Sequence, residues 1–377
     1  LWAAALLLFF MGVPLAAEEL WTPKHLAKLR AVVSAKVSPD GKSLAYLLAI
    51  PRELMVEDSG SSWTELHLLK DGRHTPFITG KVNIGTIRWT PDGEALSFLN
   101  KKDGDKARAL YLIPVNGGES RKAFDTTLSV SSYAWSPDGK RIAYVQRDQS
   151  NVRLRPTLVP SDPTYPEVKS VRYARVGDTI ASLRVGIVDA TGGNTRWLSI
   201  LAPAEGYYLG QVSWAENSDE VLVEKLSRGR DEREFLIADV RTGAINRIYH
   251  ESDPAWVIAS YQKNMGLEWI RDGNAFIVLS EKDGWRHAYI YSRDGVKESL
   301  LTPGKFDIIE RAKVDEGGGW FYYYASPDNA TQKYLYRVRL DGTQEPVRVT
   351  PLNQPGTHNY DFSPDCKRAF HTYSNFD

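Results

Sequence analysis

A short tag, Ser-Pro-Asp-Gly-Lys or a close variant, recurs along the 377-residue chain, and an alternating apolar strand follows its clearest copies. Successive copies, aligned on the Pro position, lie 45 to 55 residues apart, apart from one step of 79 residues. Repeats of this period built from short strands are typical of a β-propeller, in which each repeat forms one blade. The clear copies begin at Ser38, Thr90, Ser136 and Ser363, and weaker ones at Trp214, Trp269 and Val314.

The residue types of the tag favour a tight turn. Pro fixes φ at the first corner, Asp accepts a hydrogen bond from the backbone two residues on, and Gly adopts the positive φ that closes a hairpin. We therefore interpret the aspartates of the tags as turn residues rather than catalytic groups.

The segments between the tags complete the fold prediction. Further strands with polar Asp-Gly or Gly-Gly turns lie there, and segments of helical period are almost absent. We predict an all-β chain that forms one propeller of seven or eight four-stranded blades. Thr22 and Pro23 predict a short helix near residues 23–30. The long step from Pro137 to Glu216 holds either an eighth blade or a long excursion.

The composition excludes several classes of function. The chain has 47 basic and 47 acidic side chains, so charge gives no argument for binding nucleic acid or an anionic membrane. The single cysteine, Cys366, excludes an intrachain disulfide and is interpreted as a small filler at a turn. The seven histidines show no metal-site spacing. We predict neither a metal site nor a cofactor.

Residues 1–17 form an apolar run that ends in Ala16-Ala17 and precedes two glutamates. This run is shorter than the roughly 20 residues of a membrane span. It resembles a signal peptide without its charged start, and we predict cleavage after Ala17, with residues 18–377 forming the propeller. Export to a periplasm or the extracellular space follows, and the lack of disulfides favours a bacterial periplasm. An uncleaved N-terminal membrane anchor is the alternative.

Longer segments carry a more specific resemblance. Taken in order, they resemble the N-terminal propeller of prolyl-oligopeptidase-type serine peptidases, in the dipeptidyl peptidase IV branch. The resemblance covers the chain after residue 20 and favours eight blades. The segments are Trp21–Leu48, Tyr165–Asp178, Ser280–Tyr291, Leu301–Ser326, Gln332–Gly342 and Pro355–Asp377.

The resemblance implies an α/β-hydrolase domain after the propeller, with its nucleophile in a Gly-x-Ser-x-Gly elbow. That motif does not occur in this sequence, and the nearest approach, Ser59-Gly60-Ser61, lies in a polar loop. We expect the chain to be a fragment whose last blade is incomplete at Asp377 and to contain no catalytic residue. The chain alone is expected to be inactive, whereas the full-length protein is expected to be a serine peptidase.

Dipeptidyl peptidases of this branch hold the substrate's free amine with paired glutamates, on a short helix before the third clear tag. Here residues 124–135 read FDTTLSVSSYAW, without glutamate and without room for the helix. Release of dipeptides is therefore in doubt. Glu232 and Glu234 lie elsewhere and are predicted at a strand start on the surface.

The resemblance suggests three substrate-binding residues, Arg52, Trp256 and Tyr261. A solvated loop arginine is the alternative for Arg52, and propeller packing is the alternative for the two aromatic residues. The implied partners are a peptide substrate and the missing hydrolase domain, with no nucleic acid; a homo-oligomer remains open.

Three functions compete. The first is a non-catalytic propeller of an exported serine peptidase that gates and positions peptides for the hydrolase domain. The second is a stand-alone TolB-like periplasmic propeller that serves as a protein-interaction scaffold. The third is a propeller hydrolase such as a glycosidase, whose paired carboxylates would meet in the central channel. The longer segments favour the first.

Overall fold

The computed structural model describes residues 22–54, 56–58, 60–159, 164–200, 206–259 and 264–375. These ranges contain one short helix, α1 (Pro23–Leu26), and 28 strands in antiparallel sheets. The helix is present where it was predicted but is shorter, and no helix in the described ranges is long and apolar enough to cross a membrane. The predicted signal peptide, residues 1–17, lies outside the described residues.

The first two blades are four-stranded meanders in which each strand pairs with the next. Blade 1 comprises β1 (Ala31–Val37), β2 (Ser43–Ile50), β3 (Trp63–Lys70) and β4 (Arg73–Ile78). Blade 2 comprises β5 (Gly85–Trp89), β6 (Ala95–Asn100), β7 (Ala109–Pro114) and β8 (Arg121–Lys122).

Blade 3 is interrupted by an inserted hairpin. The blade comprises β9 (Ser129–Trp135) and β10 (Arg141–Asp148), and then, after the insertion of β11 (Leu154–Val159) and β12 (Glu167–Arg172), β13 (Ser182–Asp189) and β14 (Arg196–Trp197). Strands β11 and β12 pair only with each other, whereas β10 pairs directly with β13. The long step therefore holds an excursion, and the idea that it contains an additional blade is wrong.

Three further four-stranded blades follow. Blade 4 comprises β15 (Tyr207–Trp214), β16 (Glu220–Ser227), β17 (Glu232–Asp239) and β18 (Ile245–Ser252). Blade 5 comprises β19 (Glu268–Ile270), β20 (Ala275–Ser280), β21 (His287–Ser292) and β22 (Glu298–Leu300). Blade 6 comprises β23 (Ile308–Asp315), β24 (Trp320–Ala325), β25 (Tyr334–Arg339) and β26 (Val347–Arg348).

The last pair, β27 (Thr357–Phe362) and β28 (Ala369–Ser374), forms a two-stranded sheet. The described residues thus hold six four-stranded blades and this seventh unit, each with one of the tags between its first and second strands. This succession of sheets confirms the predicted all-β propeller.

The tags form the turns that their residues predict. In the first, the Ser38 hydroxyl donates to Asp40 (2.5 Å), and the same carboxylate oxygen accepts from the backbone of Lys42 (3.1 Å). Gly41 closes the turn at φ +75°. The hydroxyl hydrogen bond is the main reason that the pKa of Asp40 lies below its usual value. In the last tag Cys366 takes the glycine position, at φ +54°.

Tryptophans at the ends of the first strands of blades 2, 3 and 4 link each of these blades to the one before it. In these three cases the indole N–H donates across the blade boundary, whereas the indole N–H of Trp269 in blade 5 has no hydrogen-bond partner among the described residues. The bonds run from Trp89 to the Lys36 carbonyl (2.8 Å), from Trp135 to the Ser97 hydroxyl (2.9 Å) and from Trp214 to the Ala134 carbonyl (3.1 Å).

Apolar side chains fill the space between neighbouring sheets. Between blades 5 and 6, for example, Ile277, Leu279, Phe321 and Tyr323 are fully buried in one cluster. Every residue of β20 is buried, which is expected for a strand covered on both faces.

The meander divides the connections between two faces. Turns from first to second strand, which carry the tags, lie with the third-to-fourth turns on one side, which we call the tag face. Connections from second to third strand and from blade to blade lie on the other side, the loop face. The loop face carries the longer connections, including residues 51–62, the inserted hairpin and residues 253–267.

Candidate substrate-binding face

Both predicted substrate residues that the structure describes lie on the loop face. Arg52 follows β2 in blade 1, and Trp256 lies in the connection from β18 to β19, between blades 4 and 5. Tyr261 lies outside the described residues. The structure therefore places two of the three predicted residues on one side of the propeller, and their contact with substrate stays a prediction.

Arg52 is held by its own loop. Its Nε donates to the carbonyl of Ser61 (2.9 Å) and its Nη1 to the carbonyl of Asp58 (3.3 Å). The guanidinium also lies over the ring of Trp63, 4.1 Å from the centroid. These acceptors are neutral, so the positive charge of Arg52 keeps its attraction for an anion or a carbonyl oxygen of a ligand.

Trp256 is 67% exposed, which argues against the packing role that was its alternative. A turn capped by Asp253 presents it, since that carboxylate accepts from the backbone N–H groups of Ala255 (2.7 Å) and Trp256 (3.3 Å). The chain then enters the interior at Val257 and Ile258. The local sequence therefore fixes the backbone and leaves the indole in solvent.

A cleft of about 320 Å³ adjoins the indole. Arg230, from the loop between β16 and β17, and Arg286, from the loop before β21, line it together with Trp256. Arg286 donates twice to one oxygen of Glu281, at 3.0 and 2.7 Å. An aromatic face beside guanidinium groups can take an apolar side chain and a carbonyl or carboxylate of a peptide.

A fully buried ion pair in blade 4 fixes the end of the connection that carries Trp256. The Nε of Arg233 donates to Glu224 at 2.7 Å, and neither side chain is exposed. Arg233 also donates to the carbonyls of Met265 (2.9 Å) and Leu279 (3.3 Å), which ties blade 4 to blade 5. A buried guanidinium is tolerable only with this number of acceptors.

A second arginine supports the same segment from blade 6. Arg311 lies 3.0 Å from the carboxylate of Glu268 and donates to the carbonyl of Gly266 (2.8 Å). Burial lowers the pKa of Arg311, while Glu268 opposes that change. The two arginines thus hold consecutive carbonyls, Met265 and Gly266, at the end of the connection that presents Trp256.

The paired-glutamate site implied by the resemblance has no counterpart in the segment before the third clear tag. Residues 123–128, which lead into β9, contain no helix. Glu232 is exposed at the start of β17, as predicted, and Glu234 is held by Lys225 (3.1 Å) and Arg247 (3.1 Å). Neither glutamate therefore forms a free amine-binding pair.

Two described histidines have the carboxylate partner that orients a catalytic base. His67, largely buried in β3, has its Nε2 3.0 Å from Glu65, and the second is His287. His287 Nδ1 lies 2.8 Å from Asp283, but the imidazole is 2% exposed and packs edge-on against Phe306. Its Nε2 has no hydrogen-bond partner among the described residues. A base must reach the proton that it removes, so this pair is structural. Nor do the described residues contain a group of three or more His, Cys, Asp or Glu placed to hold a metal ion.

Sequence reasoning missed Arg230, Arg233, Arg286 and Arg311. Arginine is common on surfaces, and nothing within a few residues of these positions marks them as buried or as lining a cleft. A partial signal was present at Arg233, which lies two residues before the apolar run Phe235–Ala238 of β17 and on the same face as Phe235.

Comparison with known families identifies the architecture. The family model described as "Dipeptidyl peptidase IV (DPP IV) N-terminal region" matches residues 128–377, more than half of the chain. The chain belongs to the dipeptidyl peptidase IV N-terminal region family. This finding confirms the resemblance inferred from the ordered segments.

The chain is similar to part of longer proteins that are named dipeptidyl peptidases. A "Probable dipeptidyl peptidase 4" of Emericella nidulans is 26% identical over 200 residues, which cover 50% of the chain and 25% of the relative. Dipeptidyl peptidase 4 of Trichophyton equinum is 24% identical over 186 residues, 48% of the chain and 23% of that protein. The matched region is thus about a quarter of these relatives.

A solved structure supports the fold. The crystal structure of Porphyromonas gingivalis dipeptidyl peptidase 4 superposes with a TM-score of 0.73 at 19% identity and covers 91% of the chain and 49% of that protein. The chain spans about half the length of this structural relative. At this identity the similarity establishes the propeller alone.

Proposed function

We propose that the chain is the propeller domain of an exported serine peptidase of the dipeptidyl peptidase IV type. In this proposal the propeller admits and positions peptides for an α/β-hydrolase domain elsewhere in the full-length protein. The observation that carries it is the loop face, where Trp256 is exposed beside Arg230 and Arg286 in a family whose relatives are dipeptidyl peptidases.

The chemistry of the cleft fits a peptide. A peptide offers carbonyl oxygens and apolar side chains, which guanidinium groups and an indole face can bind. Asp253 caps the start of the connection that carries Trp256, and the buried arginines Arg233 and Arg311 hold its end, which favours a preformed site. A preformed site loses little conformational entropy on binding.

The first test uses the full-length protein and Trp256→Ala. We expect KM for a chromogenic peptide to rise about tenfold, equivalent to about 1.4 kcal/mol, with kcat nearly unchanged. Val296→Ala is the matched control, because Val296 is 78% exposed in the β21–β22 turn, on the tag face of blade 5. Equal KM values for both variants would exclude the role of Trp256. Absence of a Gly-x-Ser-x-Gly motif from the remainder of the gene would overturn the peptidase proposal.

The missing glutamate pair predicts a change in specificity. If no other carboxylate holds the substrate amine, acetylation of that amine should lower kcat/KM by less than about tenfold. The comparison uses one dipeptide anilide in free and N-acetylated form, with the full-length protein. A loss of several hundred-fold on acetylation would show that an amine anchor exists elsewhere in the protein.

A further inference from the structure

A larger cavity lies where the inserted hairpin joins blade 3, and it shares Gly229 with the cleft at Trp256. It measures about 1040 Å³ and lies between blade 3, blade 4 and the segment that returns from β12 to β13. Its lining includes residues 172–181 of that segment, Arg147 at the end of β10, Tyr208 in β15 and Arg228 after β16. The volume is at the upper end of ordinary ligand pockets.

Positive charge dominates the lining. Four arginines and one aspartate line the cavity, which leaves three positive charges among the described lining residues. Asp148 lies near Arg172 outside the lining and offsets part of that excess. The four arginines are Arg147, Arg172, Arg175 and Arg228.

Two of these arginines donate to neutral acceptors. Arg228 donates to the Tyr208 hydroxyl (2.9 Å) and to the carbonyl of Asp178 (3.0 Å). Arg172 donates to the carbonyls of Ser150 and Val152, each at 2.8 Å. These bonds orient the two guanidinium groups. Neither group forms an ion pair with a carboxylate among the described residues.

The side chain of Arg147 is exposed and has neither a hydrogen bond nor an ion pair within the part of the chain that the structure describes. The one lining carboxylate, Asp178, is already occupied. Its oxygen accepts from the backbone N–H of Arg175 at 3.0 Å, and Arg153 lies 3.6 Å away. The backbone hydrogen bond is the main reason that the pKa of Asp178 lies below its usual value, so the group remains an anion.

Apolar and aromatic side chains make up much of the remaining lining, beside Ser131, Gln149 and Thr179. Val152, Ile180 and Leu183 line the cavity beside Tyr173 and Tyr208. A small inorganic anion would fill little of this volume and would leave the apolar side chains of the cavity in contact with water. A peptide segment with carboxylate side chains matches both the charge and the size.

We propose that this cavity binds an acidic segment of a peptide, with Asp or Glu carboxylates on Arg147 and Arg172. That the bound peptide is a substrate rests on the proposed peptidase function; binding itself does not. The site would favour peptides whose acidic residues lie in the part of the peptide that is outside the cleft at Trp256.

The test is fluorescence anisotropy of labelled, N-acetylated hexapeptides of alternating Glu and Leu, Gln and Leu, or Lys and Leu, with the full-length protein. We expect only the glutamate peptide to bind and its affinity to fall with added salt. Arg147→Gln should weaken binding about tenfold and Arg147→Glu by more, since one charge-assisted hydrogen bond is lost. Both variants should fold, because the exposed side chain of Arg147 has no hydrogen bond or ion pair to lose among the described residues.

Arg73→Glu is the matched control, because Arg73 is an exposed arginine on β4 without a described side-chain partner. It should bind the glutamate peptide as the wild type does. Equal affinity of Arg147→Glu and Arg73→Glu, or equal binding of the glutamine peptide, would overturn the proposal. Full displacement of the peptide by millimolar inorganic phosphate would identify a small-anion site instead. None of these outcomes depends on peptidase activity, so failure here is distinct from failure of the proposed function.

Discussion

Blade 4 and the inserted hairpin illustrate two ways in which this chain uses strands. In β16 and β17 most residues are buried between neighbouring sheets, and even an ion pair lies in the interior. In β11 and β12 nearly every residue is exposed, including Leu158 at 63% and Val168 at 60%. The stability of the blades therefore depends on packing against neighbouring blades. The stability of the hairpin depends on the hydrogen bonds between β11 and β12 and on contacts where the hairpin joins blade 3. Isolated two-stranded ladders are marginally stable.

The largest expected effect is at the buried pair of blade 4. Arg233→Met leaves Glu224 in the interior without its cation, so we expect the free energy of unfolding to fall by about 3–5 kcal/mol in a urea titration. The double variant Arg233→Met, Glu224→Gln removes both charges and should recover part of the loss. A single variant within about 1 kcal/mol of the wild type would mean that the interior of blade 4 tolerates charge.

The next largest effect is expected when the same substitution, leucine to alanine, is made in blade 4 and in the inserted hairpin. Leu222→Ala in β16, where the side chain is fully buried, should lower the free energy of unfolding by about 2–5 kcal/mol because a cavity remains. Leu158→Ala in β11 should change it by less than about 0.5 kcal/mol. Urea titration of both variants gives the comparison. Similar losses would show that the hairpin is packed against another surface.

A smaller effect concerns the turn of the last tag. Cys366 adopts φ +54°, where the other clear tags have glycine. Cys366→Gly should raise the free energy of unfolding by up to about 1 kcal/mol, because only glycine adopts that φ without cost. Cys366→Ser keeps the β-carbon and is the control. If both variants melt at the same temperature, β27 and β28 do not limit the stability of the blades.

The smallest effect is on acid stability. The pKa values of Asp40 and Asp138 are lowered in the folded state, first by a serine hydroxyl and next by a backbone N–H. A lowered folded pKa gives stability that is present above the unfolded value, near 4, and is lost as pH falls through the folded one. We therefore expect the melting temperature to decrease once the pH is lower than about 4. Asp138→Asn should weaken that dependence, whereas Leu158→Ala should leave it unchanged; identical profiles for all three proteins would exclude the tag turns as its source.

The site was predictable only in part. The resemblance to the family singled out Arg52 and Trp256, and the structure shows that both lie on the loop face. The arginines beside Trp256 could not be predicted, since Arg230 and Arg286 come from different blades and line the same cleft only after the sheets have packed. The absence of a glutamate pair from residues 124–135 was readable because that motif is local.

The sequence by itself determined the repeat, the turns and the all-β class. A tag closes its turn through hydrogen bonds within a few residues, as between Asp40 and Lys42, so the order of residues is enough to specify it. The tertiary structure alone decided that the long step forms a separate hairpin, that Arg233 is buried against Glu224, and that Arg147 and Arg228 share a cavity. Burial and charge balance are properties of surfaces that distant segments build together, and no local pattern encodes which segments those are.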